Sequence, residues 1–353
     1  MKLNSQVSAL CLFQVGLLDT NAFFVPPGQI PKAFSNAVAP LKSTPSDNAL
    51  PGAAQPVPSS LSSDLTTPIQ PDLVWEGAGW RLADGLPPKT YDSPNRELAS
   101  EDTYEMFPFE PIYEKIEGGG TVRTYPLPPW ADRCQYFIKS NGRPIKAEVN
   151  LWLGPIRKTH TNEITVEDGQ LTPYSATLKF KKDSQVLKIS TKESAELPIW
   201  AGVIVPSPER HKILQENTEQ LWKQIKGEPE KKTIQGGSTT GGGGAIKYWA
   251  IPENVQSVQV LAWSIDVSKK SFRCKIELLQ GPDNKKQEYM LQCGGGSQPY
   301  HGVIQTPGEG CVLWIRNLKF LEDGLFQVAV IPYEVIGDEY AASMGALDPY
   351  YRP

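Results

Sequence analysis

The sequence predicts an all-β protein: two tandem antiparallel β-sandwich domains, with one linker helix between them and an extended C-terminal tail. Three observations carry that expectation. A set of motifs occurs twice, in the same order, about 125 residues apart. Within each copy, apolar and polar residues alternate at the period of a half-buried strand. Finally, 32 prolines and 30 glycines in 353 residues break helices and long strands, so short strands and many turns should dominate.

The chain opens with a stretch that reads as targeting rather than fold. Lys2 precedes a mostly apolar run from Val7 to Leu18, too short to span a bilayer as a helix but long enough for a signal-peptide core. A small residue stands before a cut expected between Ala22 and Phe23. This Ala-Phe junction resembles that of diatom plastid precursors, in which a transit peptide follows the signal peptide at once. Residues 1–22 are therefore assigned to a signal peptide. Residues 23–70, rich in Ser, Thr, Pro and Ala and poor in acids, are assigned to a transit peptide. Residues 71–117 form an N-terminal extension whose place is open: Trp75, Trp80 and Met106-Phe107-Pro108-Phe109 could fold back or reach a neighbour.

The first repeat spans 118–206 and the second 241–336. Gly118-Gly-Gly-Thr-Val-Arg-Thr-Tyr-Pro-Leu-Pro128 matches Gly242-Gly-Gly-Ala-Ile-Lys-Tyr-Trp-Ala-Ile-Pro252, and Lys146 to Pro155 matches Arg273 to Pro282. Pro173-Tyr174 matches Pro299-Tyr300, Val186 to Ile189 matches Val312 to Ile315, and Ile199 to Pro206 matches Leu325 to Pro332. Ile145, Ala147, Val149, Leu151 and Leu153 alternate with Lys146, Glu148, Asn150 and Trp152. Tyr174 to Phe180 and Phe272 to Leu278 do the same. Such runs, cut by Gly-Pro and Pro-Tyr turns, suit antiparallel sandwiches.

Between the repeats, residues 207–240 hold the helix and a Gly/Ser-rich tether. Ser207 is a suitable N-cap and Pro208 a suitable first helical residue. Ile213, Leu214, Leu221, Trp222 and Ile225 fall near one face, and Gly227 offers a stop. The helix is expected to pack on a sandwich and cover a sheet edge. The tail, 337–353, is too apolar for a free end. Tyr340, Met344, Leu347, Tyr350, Tyr351 and Arg352 are of the residue types that anchor interfaces, and they are assigned to an assembly contact.

Chemistry is scarce. The formal net charge of −4 argues against a nucleic-acid partner, which needs a basic surface. Lys179-Phe180-Lys181-Lys182 reads as the solvated end of a strand. The glycine runs lack the following lysine and hydroxyl that phosphate cradles use, and no Gly-x-Ser-x-Gly elbow occurs. His160, His211 and His301 are far apart, without ligand spacing. Cys134, Cys274, Cys293 and Cys311 form no Cys-x-x-Cys pair, and none has a counterpart in the other repeat. Buried free thiols are expected. No catalytic, cofactor or metal residues are assigned, no enzyme activity is expected, and no membrane-spanning segment follows the presequence.

The Gly118–Pro128 opening, the two copies ending Val-Ile-Val-Pro206 and Val-Ile-Pro332, and the run Tyr333 to Tyr340 resemble the pyrenoid shell proteins of diatoms, over residues 118 to 353. The resemblance implies a structural, self-assembling protein that forms a sheet around the Rubisco matrix, at the pyrenoid periphery in the plastid stroma, in support of CO2 concentration and carbon fixation. Its implied partners are further copies of itself, related shell subunits and the Rubisco matrix. The alternative from the residues alone is a plastid β-sandwich module for carbohydrate or a membrane surface, with Trp80, Trp130 and Trp152 as a platform.

Overall fold

The computed structural model describes residues 71–88, 96–98, 106–181, 183–226, 233–235, 245–264, 271–281, 284–294, 299–319 and 325–336. All of them lie in one unit, residues 64–353. The extension contributes β1 (Leu73–Glu76), β2 (Gly79–Leu82), β3 (Arg96–Leu98) and β4 (Glu114–Ile116). The first repeat supplies β5 (Val122–Pro126), β6 (Arg133–Lys139), β7 (Ile145–Leu153), β8 (Arg157–Val166), β9 (Tyr174–Lys179), β10 (Gln185–Thr191) and β11 (Ile199–Val205). Helix α1 (Pro208–Lys226) and β12 (Thr233–Gln235) follow. The second repeat gives β13 (Ile246–Ala250), β14 (Val255–Ser264), β15 (Phe272–Gln280), β16 (Lys285–Cys293), β17 (Tyr300–Gln305), β18 (Cys311–Asn317) and β19 (Leu325–Ile336).

The protein is all-β and sandwich-like, as the alternation requires, with two antiparallel sheets. The larger sheet runs β12-β19-β14-β17-β9-β6-β11-β1-β2, with β3 also on β19 and β4 also on β11. The smaller runs β13-β18-β15-β16-β8-β7-β10-β5. Both sheets are shared by the two repeats, a feature the tandem reading does not contain. In the smaller sheet β16 pairs with β8, from Gln287 opposite Val166 to Cys293 opposite His160. In the larger one β17 pairs with β9, from Tyr300 opposite Leu178 to Val303 opposite Ser175. Counted outward from this seam, each strand of one repeat meets its counterpart at the same place in the other. The physical reason for the merger is that an edge strand leaves backbone groups unpaired; joining the two repeats removes one such edge per repeat in each sheet.

The core follows the merger. One continuous apolar cluster includes Tyr136, Val149, Leu187 and Val203 from the first repeat and Val260, Ile276, Leu313 and Val328 from the second. The extension folds back on the outer face of the larger sheet. It pairs β1 with β11, crosses to pair β3 with β19, and returns to pair β4 with β11. On that face Met106 and Phe107 pack with Phe137, Ile204, Val303, Leu214 and Tyr333. Gly202 permits the close approach: a Cβ there would sit 2.7 Å from the Pro111 side chain.

The helix forms where expected. Ser207 Oγ accepts the Arg210 N–H at 3.2 Å, the N-cap bond anticipated from its side chain. Its buried face, however, differs from the expected stripe. Leu214 is buried, but Ile213 is 39% exposed; the side chains of Leu221, Trp222 and Ile225 lie outside the described residues. Arg210, His211 and Asn217 are buried instead. The cause is a polar clamp. The Arg210 guanidinium donates to Asp72 Oδ2 at 2.7 Å, the Met106 carbonyl at 3.0 Å and Gln135 Oε1 at 3.1 Å. Turning the helix to satisfy that cation moves Ile213 to solvent, since a buried charge must be paired.

Candidate functional site

Among the described residues the three histidines sit apart from one another. His160 Nδ1 lies 3.2 Å from Cys293 Sγ, His301 Nε2 lies 3.3 Å from Gln259 Oε1, and His211 Nδ1 lies 2.9 Å from Asp132 Oδ1. These are three separate places. Burial lowers His160 and His301 to about 3, with the Arg133 charge adding to the effect at His301. Burial also raises all four thiols, Cys311 to about 11 and Cys134, Cys274 and Cys293 further. General acids and bases work best near the ambient pH; these groups are held far from it. The cysteines are free and buried. Among the described residues no group of three or more His, Cys, Asp or Glu could hold a metal ion. No helix among them is long and apolar enough to cross a membrane.

The seam between the repeats carries a buried polar network of structural type. Asn162 Nδ2 donates to Tyr136 Oη at 2.9 Å and to Tyr174 Oη at 2.8 Å, and the Tyr174 and Tyr300 hydroxyls lie 2.8 Å apart. Tyr289 stacks on Tyr174 with ring centroids 4.7 Å apart, and its hydroxyl donates to Gln287 Oε1 at 2.6 Å. Tyr174 and Tyr300, the matched residues of the two Pro-Tyr motifs, meet here. Their proximity was not legible in sequence, although their repetition was. Burial pushes both phenols far above the ordinary range, so they remain neutral hydrogen-bonding groups.

What remains is surface, and the smaller sheet supplies it. Its outer face is tiled by ion pairs within and across strands. Lys192 Nζ reaches Glu163 at 2.7 Å, and Lys275 Nζ reaches Glu277 at 2.9 Å and Glu288 at 3.1 Å. Trp314 stands opposite Tyr248, a place held in the first repeat by Lys188 opposite Thr124. The two halves thus share a backbone plan but present different chemistry outward. Of the tryptophans considered as a sugar platform, Trp80 and Trp130 pack against the core. Trp80 Nε1 donates to the Pro126 carbonyl at 2.7 Å, and Trp130 lies against His211. Only Trp152 stays on the outer face, with Lys158 Nζ 5.2 Å from its ring centroid. In the basic run Phe180 is buried and Lys181 exposed, a strand end as read. The assigned tail residues Tyr340, Met344, Leu347, Tyr350, Tyr351 and Arg352, and the junction Ala22/Phe23, lie outside the described residues.

The described residues form a sandwich of shared sheets with two chemically unlike outer halves. The family model of the diatom pyrenoid shell proteins matches residues 110–332, well over half of the chain, and the chain belongs to that family. No curated protein matches it. Among solved structures, the oxalate decarboxylase of Lactobacillus farciminis in its formate complex is similar at 10% identity. That match covers 68% of this chain and 90% of that one at a TM-score of 0.15, too low to carry any argument.

Proposed function

We propose that this shell protein assembles with copies of itself into a sheet that encloses the Rubisco matrix of the pyrenoid, in the plastid stroma, and so supports carbon fixation. The observation that carries the reading is the pairing of family membership with the two-sided body just described. A unit with an approximate internal two-fold but unlike outer halves favours heterologous contacts. Contacts that do not close on themselves propagate into sheets or tubes. The tail residues 337–353 act as a strap between units, and the signal and transit segments bring the chain to the stroma. Related shell subunits and the Rubisco matrix are the further partners. No observation favours the carbohydrate or membrane-surface reading: Trp80 and Trp130 are partly buried and pack against the core instead of joining Trp152 on one platform.

Deleting residues 338–353 tests this. Every strand described ends by Ile336, so the melting temperature should stay within about 2 °C, while pelletable sheets seen by electron microscopy should fall at least tenfold. A buried tyrosine anchor is worth about 2 kcal/mol or more, and about 1.4 kcal/mol is a factor of ten. Undiminished sheets would rule out the strap; no sheets from the intact chain would rule out the assembly itself.

A further inference from the structure

One corner of the smaller sheet carries an apolar strip whose counterpart in the other repeat is different. Val186 stands opposite both Pro126 and Trp152, and Trp152 opposite Lys158. Directly opposed residues project on one face, so Pro126, Val186 and Trp152 form a continuous apolar row. Leu187, the neighbour on the other side of the strand, is buried in the core, which places the row outward. Beside it, on the turn between β7 and β8, Ile156 is 88% exposed. In the second repeat the same register brings together Ala250, Val312 and Leu279, and the sequence has Asp283 where the first has Ile156.

The rims differ in charge as well. Arg157, Lys158 and Lys181 are exposed around the first strip, against Asp183; Lys158 also lies 3.6 Å from Glu148. At the second strip Lys285 is engaged by Glu277 and Glu288, and the exposed Glu309 borders it through its carbonyl, which accepts from Gln280 Nε2 at 3.2 Å. The segment 337–353 carries Asp338, Glu339 and Asp348 against Arg352 alone. An acidic, tyrosine-bearing segment complements the first strip and is opposed by the second.

We propose that the strip Pro126–Val186–Trp152, with Ile156 at its tip, seats residues 337–353 of a neighbouring copy of this chain. The origin of that segment argues for a neighbour. The Ile336 N–H donates to the Asn254 carbonyl at 2.8 Å, so the chain leaves beside the β13–β14 connection, next to the second strip. The first strip begins at β5, the opposite edge of the eight-stranded sheet, some seven strand spacings or roughly 34 Å away. Tyr340, four residues past Ile336, reaches at most about 14 Å, and only the last residues of the segment could span the distance within one chain. A neighbour's strip can stand directly beside the exit.

The proposal rests on the assembly reading, and the test separates the two. The full chain, with the photo-crosslinker p-benzoylphenylalanine at position 350, is mixed as equal parts of light and heavy isotope and irradiated. Expected are crosslinks from the tail to peptides containing Trp152–Ile156 or Val186, half of them joining light to heavy chains. Crosslinks confined to single chains, or to other peptides, overturn the proposal. Ile156→Asp, alone and with Trp152→Ser, should lower the crosslink at least tenfold, whereas Leu279→Ser at the corresponding corner should leave it unchanged; equal loss from Leu279→Ser also overturns it. Mixed-isotope crosslinks without sheets in the microscope would uphold the docking and refute the shell reading. Sheets without crosslinks to the strip would do the reverse.

Discussion

Acidifying the protein from pH 7.5 to pH 5 should destabilise it steeply. His160 and His301 are fully buried and held at about 3 by desolvation, with Arg133 reinforcing the shift at His301. In the unfolded chain both return to about 6.5. Between those values the unfolded state binds a proton at each site and the folded state does not. The stability these neutral imidazoles permit is therefore fully present above pH 6.5 and is lost as pH falls toward 3. The slope is about 1.4 kcal/mol per pH unit for each histidine, or nearly 3 for the pair. Falling from 6.5 to 5 thus removes about 4 kcal/mol, a large part of the 5 to 15 kcal/mol typical of a domain. At about 2 to 4 °C per kcal/mol for a fold of this size, the melting temperature should drop by about 8 to 16 °C. Urea unfolding at half-unit pH intervals measures the slope directly. His160→Leu and His301→Leu should each halve it, whatever they do to the baseline at pH 7.5. A flat profile between pH 5 and 6.5, or a slope that survives the double variant, would refute the reasoning.

Arg210→Met should cost about 3 kcal/mol in urea unfolding, because it leaves the part-buried Asp72 without its cation and takes one donor each from the Met106 carbonyl and Gln135 Oε1; a loss under about 1 kcal/mol would show the clamp to be incidental. Tyr174→Phe and Tyr300→Phe each strip one hydroxyl from the seam and should cost about 1 to 3 kcal/mol, with a double-mutant coupling of at least about 0.5 kcal/mol; strict additivity would mean the two hydroxyls act separately. Phe23→Asp should block plastid import of a fluorescent fusion, and normal arrival in the stroma would remove the junction assignment.

The sequence by itself determined the strands of the alternating runs 145–153, 174–180 and 272–278 and where the helix starts, but not β1 to β4 of the extension or β12 of the tether. Those features depend on near neighbours: the alternation of Tyr174, Ala176, Leu178 and Phe180, or the hydroxyl of Ser207 ahead of Pro208. It also carried the family resemblance, since repeated blocks and their order survive without any knowledge of pairing. The free, buried state of Cys274 followed from its place in an alternating run. Pairing between distant strands is another matter. β8 and β16 read as ordinary half-buried strands, and nothing local distinguishes a strand that ends a sandwich from one that continues into the next repeat, because backbone donors and acceptors are the same in both cases. Only the tertiary structure decided that the sheets are shared, that Tyr174 meets Tyr300 and that the extension lies over Gly202. It also decided the helix face: in sequence Arg210 is one more surface charge and Ile213 a core residue. Asp72, far away in the chain, reverses both by giving the buried guanidinium a partner.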